Sequence, residues 1–206
     1  MVELQLRARG IYDERVLAAM ARVPRHEFVS EEYWNQAYED HPLPIGEGQT
    51  ISQPYIVAIM LQAASLSGAE TVLEVGTGSG YQAAVLARLA QRVHTVERHA
   101  SLAHSAEAVL QRLGYSNVKV HVGDGSQGLP EHAPFDAIVV SAAAPRIPPS
   151  LFGQLCEGGR LAIPVGPAYA QEFQLVRKKH GQMEITRLEG CRFVPLIGCQ
   201  GYPEDR

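Results

Sequence analysis

Three glycines at alternate positions form the chain's clearest chemical signal. They lie in Val72-Leu-Glu-Val-Gly76-Thr-Gly78-Ser-Gly80-Tyr-Gln-Ala83. Val72, Leu73 and Val75 read as a short apolar strand. Ala83, Ala84, Leu86 and Ala87 read as one face of a helix beginning near Tyr81. Glycines between them let the backbone take positive φ and approach a ligand closely. The unpaired N–H groups of the helix start then face that ligand. Glu97 lies 21 positions after Gly76, at the end of the next apolar run, Val93–Val96. A carboxylate at that spacing can accept hydrogen bonds from ribose hydroxyls.

The spacing discriminates between cofactors. A dinucleotide loop is G-x-G-x-x-G, whereas here Tyr81 stands where its third glycine belongs. No lysine follows the glycines, which excludes a P-loop. A loop with no phosphate to neutralise, joined to a ribose-binding acid, suits a nucleoside cofactor such as S-adenosylmethionine.

Other segments fall at the same edge of an open α/β sheet, beyond the strands' carboxyl ends, where ligands bind. Gly123-Asp124-Gly125 follows the third strand; its acid can accept from an adenine amino group or make a simple turn. The small residues Ser141-Ala-Ala-Ala-Pro145 follow the fourth strand and leave room for a reactive centre. Thr50 and Ser52 precede Pro54, which opens a helix. Their residue types favour helix capping over chemistry.

The elements that must position these residues alternate. Strands are predicted at 71–75, 92–96, 118–122, 135–140 and 160–165. Helices are predicted at 13–23, from 54 until the pattern fades at 65–68, and at 81–90, 100–113 and 148–156. Such alternation gives an α/β, doubly wound, mostly parallel sheet. After Pro167 the pattern becomes a hairpin around His180-Gly181 and a last extended run, 192–196. Residues 24–50 read as an irregular lead-in. The 206 residues suit a single domain, 1–206. Within it, 1–68 carry helices and an active-site loop, 69–166 the cofactor-binding core, and 167–206 the terminal hairpin and extended segment.

Apolar residues make up 46% and charged residues 19%, with a net charge of −4, which marks a globular chain. Its densest basic run, Arg177-Lys-Lys179, is too short for a dedicated nucleic-acid face. No membrane-spanning stretch or signal-peptide pattern is present. Cys156, Cys191 and Cys199 read as reduced thiols of a cytoplasmic protein. The eight histidines show no metal-ligand spacing, so no metal site is expected.

Five segments, in order, resemble the protein-L-isoaspartate O-methyltransferase family. They are Gly48-Gln-Thr-Ile-Ser-Gln-Pro54, Leu73–Ala84, Gly123-Asp-Gly125, Asp136–Pro145 and Gly158-Gly-Arg-Leu-Ala-Ile-Pro-Val-Gly166. The first looks specific to that family, while the glycine motif indicates the wider methyltransferase class. The resemblance implies an S-adenosylmethionine-dependent methyltransferase (Rossmann-like) fold with a C-terminal antiparallel hairpin. It also implies methyl transfer to the free α-carboxylate of L-isoaspartyl residues, with S-adenosylhomocysteine as product and protein repair as outcome. Carried over by position, the active-site serine is Ser52. Cofactor contacts fall on Gln49, Thr50, Ile51 and Ser52, on Gly76, Thr77, Gly78, Ser79 and Gly80, and on Glu97, Arg98, Asp124 and Gly125. Substrate contacts fall on Ile45, Gly46, Val194, Pro195 and Leu196. Tyr55 and Ile197 depart from some members, which carry His and Thr there. The partners expected are isoaspartyl peptides and proteins, with no nucleic acid or membrane, bound by a monomer. The competing readings are a methyltransferase acting on a small molecule or RNA, and a binding module that keeps the fold without the activity.

Overall fold

A computed structural model describes residues 1–167 and 169–204. Nine strands and five α-helices follow in the order α1 (Glu14–Arg22), β1 (Leu43–Gly46), β2 (Gln49–Ile51), α2 (Pro54–Ala64), β3 (Thr71–Val75), α3 (Tyr81–Leu86), β4 (Arg92–Glu97), α4 (Ala100–Arg112), β5 (Val118–Val122), β6 (Phe135–Val140), α5 (Pro149–Gly153), β7 (Leu155–Val165), β8 (Gln171–Lys179) and β9 (Gln182–Cys191). Seven strands form one sheet, ordered β5-β4-β3-β6-β7-β8-β9. The five from β5 to β7 are parallel, and β8 and β9 extend the sheet as an antiparallel hairpin. The chain reverses direction across the sheet between β3 and β6, the place where an open α/β sheet forms its crevice.

Alternation along β3 divides the core. Val72 joins Val93, Ala137 and Ala162 against α1, α2, α3 and α4. Leu73 and Val75 join Val96, Ile138 and Val140 against Leu151 of α5 and Leu129. Both faces of the central strands are thus buried, as a parallel sheet requires.

Several elements end earlier than periodicity predicts. α3 stops at Leu86 because Asn117 Nδ2 donates to the carbonyls of Ala87 (2.9 Å) and Ala90 (3.3 Å). α5 stops at Gly153, and β7 begins at Leu155, where Gln154 O accepts from Phe135 N at 2.8 Å. The lead-in is also more ordered than its sequence suggests. It contains two helical turns, Arg25–Phe28 and Glu31–Gln36, and the small β1–β2 hairpin, whose tip residues Gly46, Glu47 and Gly48 all have positive φ.

α2 is capped from a distance. Its N-cap residue, Gln53, makes no side-chain capping bond. Instead Asp40 Oδ1 accepts from Tyr55 N at 3.0 Å, and Asp40 Oδ2 accepts from Gln53 Nε2 at 2.8 Å and pairs with Arg9. Capping therefore accounts for neither Thr50 nor Ser52. Replacing Asp40 with Ala removes the cap, and urea midpoints should show a loss of about 1–2 kcal/mol. An unchanged midpoint would mean that water caps α2 equally well.

Candidate active site

The glycine turn after β3 follows from its dihedral angles. Gly76, Gly78 and Gly80 have φ of +91°, +53° and +88°, which β-carbons would strain. Gly76 N donates to Val96 O (2.9 Å), and Gly80 N to Thr77 O (2.9 Å), so the turn folds back over the end of β4. There Glu97, 6% exposed, accepts from Gly78 N through Oε2 and from His99 N through Oε1, both at 3.0 Å. One side chain thereby fixes both the glycine turn and the entry to α4.

Beneath the turn lies a second acid. Glu74 is fully buried, and its Oε2 accepts from Thr95 Oγ1 at 2.6 Å. Thr95 Oγ1 is also 2.6 Å from Thr77 Oγ1, which joins the acid to the turn. Burial pushes the Glu74 pKa up to about 8, against the hydrogen bond from Thr95 and with added repulsion from Glu97. Glu74 is thus a neutral acid at pH 7. Gln82, on α3, donates to Ser141 Oγ at 2.8 Å and ties α3 to the loop after β6.

These elements line one cleft open to solvent. Gly76, Thr77, Gly78 and Ser79 line one side, with Glu97, Arg98 and Gly125 beside them. Gln49, Thr50, Ile51 and Ser52 line another, and Val194, Pro195 and Leu196 a third. This last segment is fixed by a parallel bridge: Ala143 N donates to Val194 O and Leu196 N to Ala143 O, both at 2.8 Å. Ser52 is held through its carbonyl, which accepts from Arg25 Nη2 at 2.8 Å. Among the described residues nothing hydrogen-bonds its hydroxyl.

Four expected site residues lie elsewhere. Ile45 and Gly46 line a neighbouring hollow on the far side of Gly78 and Ser79. Asp124 turns toward the C-terminal segment. Its carboxylate accepts from Ser126 N (2.9 Å), Ser126 Oγ (2.6 Å) and Cys199 N (2.9 Å). Although partial burial opposes it, these bonds hold the Asp124 pKa down at about 2. Gly80 caps α3 without lining the cleft, and its α-carbon faces Ala106 and Leu110. Sequence reasoning passed over Tyr81, Gln82 and His99, which also line the cleft. Their positions beside the glycine motif and Glu97 were the available signal.

A mostly parallel sheet extended by an antiparallel C-terminal hairpin, with a G-x-G-x-G turn after β3 and an acid ending β4, matches the fold of the S-adenosylmethionine-dependent methyltransferases. The family model "Protein-L-isoaspartate(D-aspartate) O-methyltransferase (PCMT)" matches residues 1–201, and the chain belongs to that family. A protein-L-isoaspartate O-methyltransferase from Koribacter versatilis (strain Ellin345) is 60% identical over 206 residues, 100% of this chain and 93% of that protein. A solved protein-L-isoaspartate O-methyltransferase superposes with a TM-score of 0.88 at 32% identity, covering 98% of this chain and 67% of that one. A Plasmodium falciparum structure of the same description, in complex with S-adenosyl-L-homocysteine, gives 0.83 at 30% identity, covering 95% and 96%.

The neutral state of Glu74 has a measurable consequence. Its pKa is higher in the folded chain than the ordinary 4.5, so its contribution to stability is complete below pH 4.5. That contribution is lost as pH rises toward 8, by an amount on the order of a few kcal/mol. Glu74→Gln has no proton to lose. Urea unfolding at pH 5 and pH 8 should show the variant gaining on the wild type at the higher pH. Parallel declines would assign the titration to another group.

Proposed function

We propose that this chain methylates the free α-carboxylate of L-isoaspartyl residues in peptides and proteins, using S-adenosylmethionine, with the contacts described below. The observation that carries the reading is the meeting of Gln49–Ser52, the glycine turn, Glu97 and Val194–Leu196 around one cleft. The cleft fits the cofactor. It has a close-approach backbone at Gly76–Ser79 and a carboxylate where ribose hydroxyls would lie, with no lysine or arginine on the turn to demand a phosphate. When bound, S-adenosylmethionine supplies an electrophilic methyl group on its sulfonium.

Gly76–Ser79 would hold the cofactor against the turn, and Glu97 would accept from its ribose while keeping its backbone bonds, since each carboxylate oxygen has two lone pairs. The apolar side chains of Val75, Val96 and Leu196 line the cleft and would limit water around the bound cofactor. The acceptor carboxylate, with an ordinary pKa of about 4, is ionised at pH 7 and needs no strong base. This matches a cleft without a nucleophile–base dyad. The chain's task is to place an anion in line and keep it dry. Ser52 would donate its free hydroxyl to that carboxylate, and Val194–Leu196 would seat the peptide. The ester carbonyl is a better electrophile than the carboxylate, so the backbone N–H of the following residue attacks it, the C–N bond forms, and methanol leaves. The succinimide therefore re-forms without enzyme and reopens partly as normal aspartate, so the net outcome is repair.

Two tests separate these roles. Glu97→Ala removes an acceptor worth ~1.5–3 kcal/mol. Calorimetry should show cofactor affinity about ten- to a hundred-fold weaker, with peptide KM at saturating cofactor little changed. Unaltered cofactor affinity would refute the ribose assignment. Ser52→Ala should leave the melting temperature near that of the wild type, because Asp40 caps α2, and lower kcat about ten-fold or more. Ser52→Asp sets a negative charge against the acceptor, and should bind cofactor yet be nearly inactive. Transfer of labelled methyl to an isoaspartyl peptide, beside its normal aspartyl twin, reads out both variants. Near-wild-type turnover by the Asp variant would place the acceptor away from Ser52.

A further inference from the structure

On the sheet face opposite Glu74, three histidines distant in sequence converge. His94 lies on β4, His121 on β5, and His132 ends a short helical turn, Pro130–His132. One nitrogen from each ring lies within 4.8 Å of the other two. His94 Nδ1 is 3.1 Å from His121 Nε2. The His94 and His132 rings stack at 4.3 Å between centroids, and those of His121 and His132 stand 5.0 Å apart.

The backbone explains the convergence. Parallel pairing sets Val96 opposite His121, so His94 and His121 stand diagonally on one face of neighbouring strands. Between β5 and β6 the chain makes two short turns, Gly125–Gln127 and Pro130–His132, in place of a long crossover helix. The second brings His132 over both strands. Phe135 closes one side, its ring 6.1 Å from that of His94. His94 is 6% exposed, while His121 and His132 are half-buried, which leaves an approach from solvent.

We propose that His94, His121 and His132 form a binding site for one divalent transition-metal ion of the Zn²⁺ class. The site is separate from the methyl-transfer cleft, and none of the three residues lines that cleft. Imidazole nitrogens suit Zn²⁺, Cu²⁺ and Ni²⁺, whereas Mg²⁺ and Ca²⁺ need oxygen ligands. At 3.1 Å one ring nitrogen of the His94–His121 pair must accept, so at least one lone pair is available without deprotonation. A tetrahedral ion with Zn–N bonds of about 2.0–2.1 Å spaces its nitrogens roughly 3.4 Å apart. The closest pair already approaches that spacing, and the half-buried His132 ring must turn out of its stack on His94 to aim the third nitrogen at the ion. Three protein ligands and a solvent-facing fourth position make an open tris-histidine site.

The test uses the full chain, stripped of metal with a chelator and titrated with Zn²⁺ against a chromophoric competitor. Co²⁺ serves as a visible-absorption probe of tetrahedral nitrogen coordination. The wild type should bind one equivalent, gain melting temperature with Zn²⁺, and show the Co²⁺ spectrum. His121→Gln and His132→Gln spare the buried His94. Losing an outer-sphere partner already costs metal affinity about 10–100-fold, so losing a direct ligand should cost about 100-fold or more. His104→Gln, at an exposed position on α4, should bind as the wild type does. Circular dichroism of each variant confirms the fold, and His132→Gln should retain methyl transfer. The proposal is overturned if the wild type binds no stoichiometric Zn²⁺, leaving a hydrogen-bonded imidazole stack. It is equally overturned if both Gln variants bind like the wild type.

Discussion

Arg25 lies fully inside the protein, and among the described residues no carboxylate stands within ion-pair distance of it. Its guanidinium is held by carbonyls and a ring. Nε donates to Ala37 O at 2.7 Å, Nη2 donates to Ser52 O at 2.8 Å, and the cation sits 4.7 Å from the Tyr81 ring centre. Burial lowers its pKa, yet arginine remains charged in proteins. Leaving such a cation without partners costs far more than a neutral hydrogen bond returns, so the lead-in, the Ser52 loop and α3 must all stay where they hold Nε, Nη2 and the π contact, Nη1 having no hydrogen-bond partner among the described residues. Tyr81, at the position that separates this motif from a dinucleotide loop, supplies the π face. The residue that identifies the cofactor class therefore also helps to seat the Ser52 loop.

The parts of the fold readable in the sequence were those set by local chemistry. The glycine turn and the five parallel strands each follow from periodicity or from a residue's own conformational limits. What stayed hidden depended on distant partners. Asn117 shortens α3, Gln154 gives its carbonyl to β6, and Asp40 caps a helix starting fourteen residues later. None of these has a short-range signature. The same holds for the site. Glu97 and Gly76–Ser79 were legible from spacing, and their carriage to the cleft follows from the sheet. The orientation of Asp124 away from it, and the meeting of His94 with His121 and His132, depend on strand register and on two turns that replace a helix.

The C-terminal segment shows how one wall of the cleft can be rigid without being a sheet strand. Val194–Leu196 is stitched to Ala143. Beyond it, Tyr202 N donates to Leu196 O, and Tyr202 Oη to Gly166 O, both at 2.7 Å. Gln200 Oε1 accepts from Ser150 N at 3.0 Å, which ties the tail to α5. The cleft's third wall is thus clamped at both ends by bonds outside the cleft.

Asp124-Gly125 is the chain's one Asp-Gly pair. Aspartate followed by glycine is chemically fragile, because the unhindered glycine nitrogen can attack the side-chain carboxyl and close a succinimide. The fold cannot remove that hazard by substitution, since a β-carbon on Gly125 would sit 2.6 Å from Val75 Cγ1. It restrains the reaction instead. The carboxyl group is pinned by Ser126 and Cys199 and kept ionised down to about pH 2, while ring closure requires it to rotate and to be protonated. The bonds that lock the C-terminal segment in place therefore also protect this protein from the ageing lesion that its family is named for acting on.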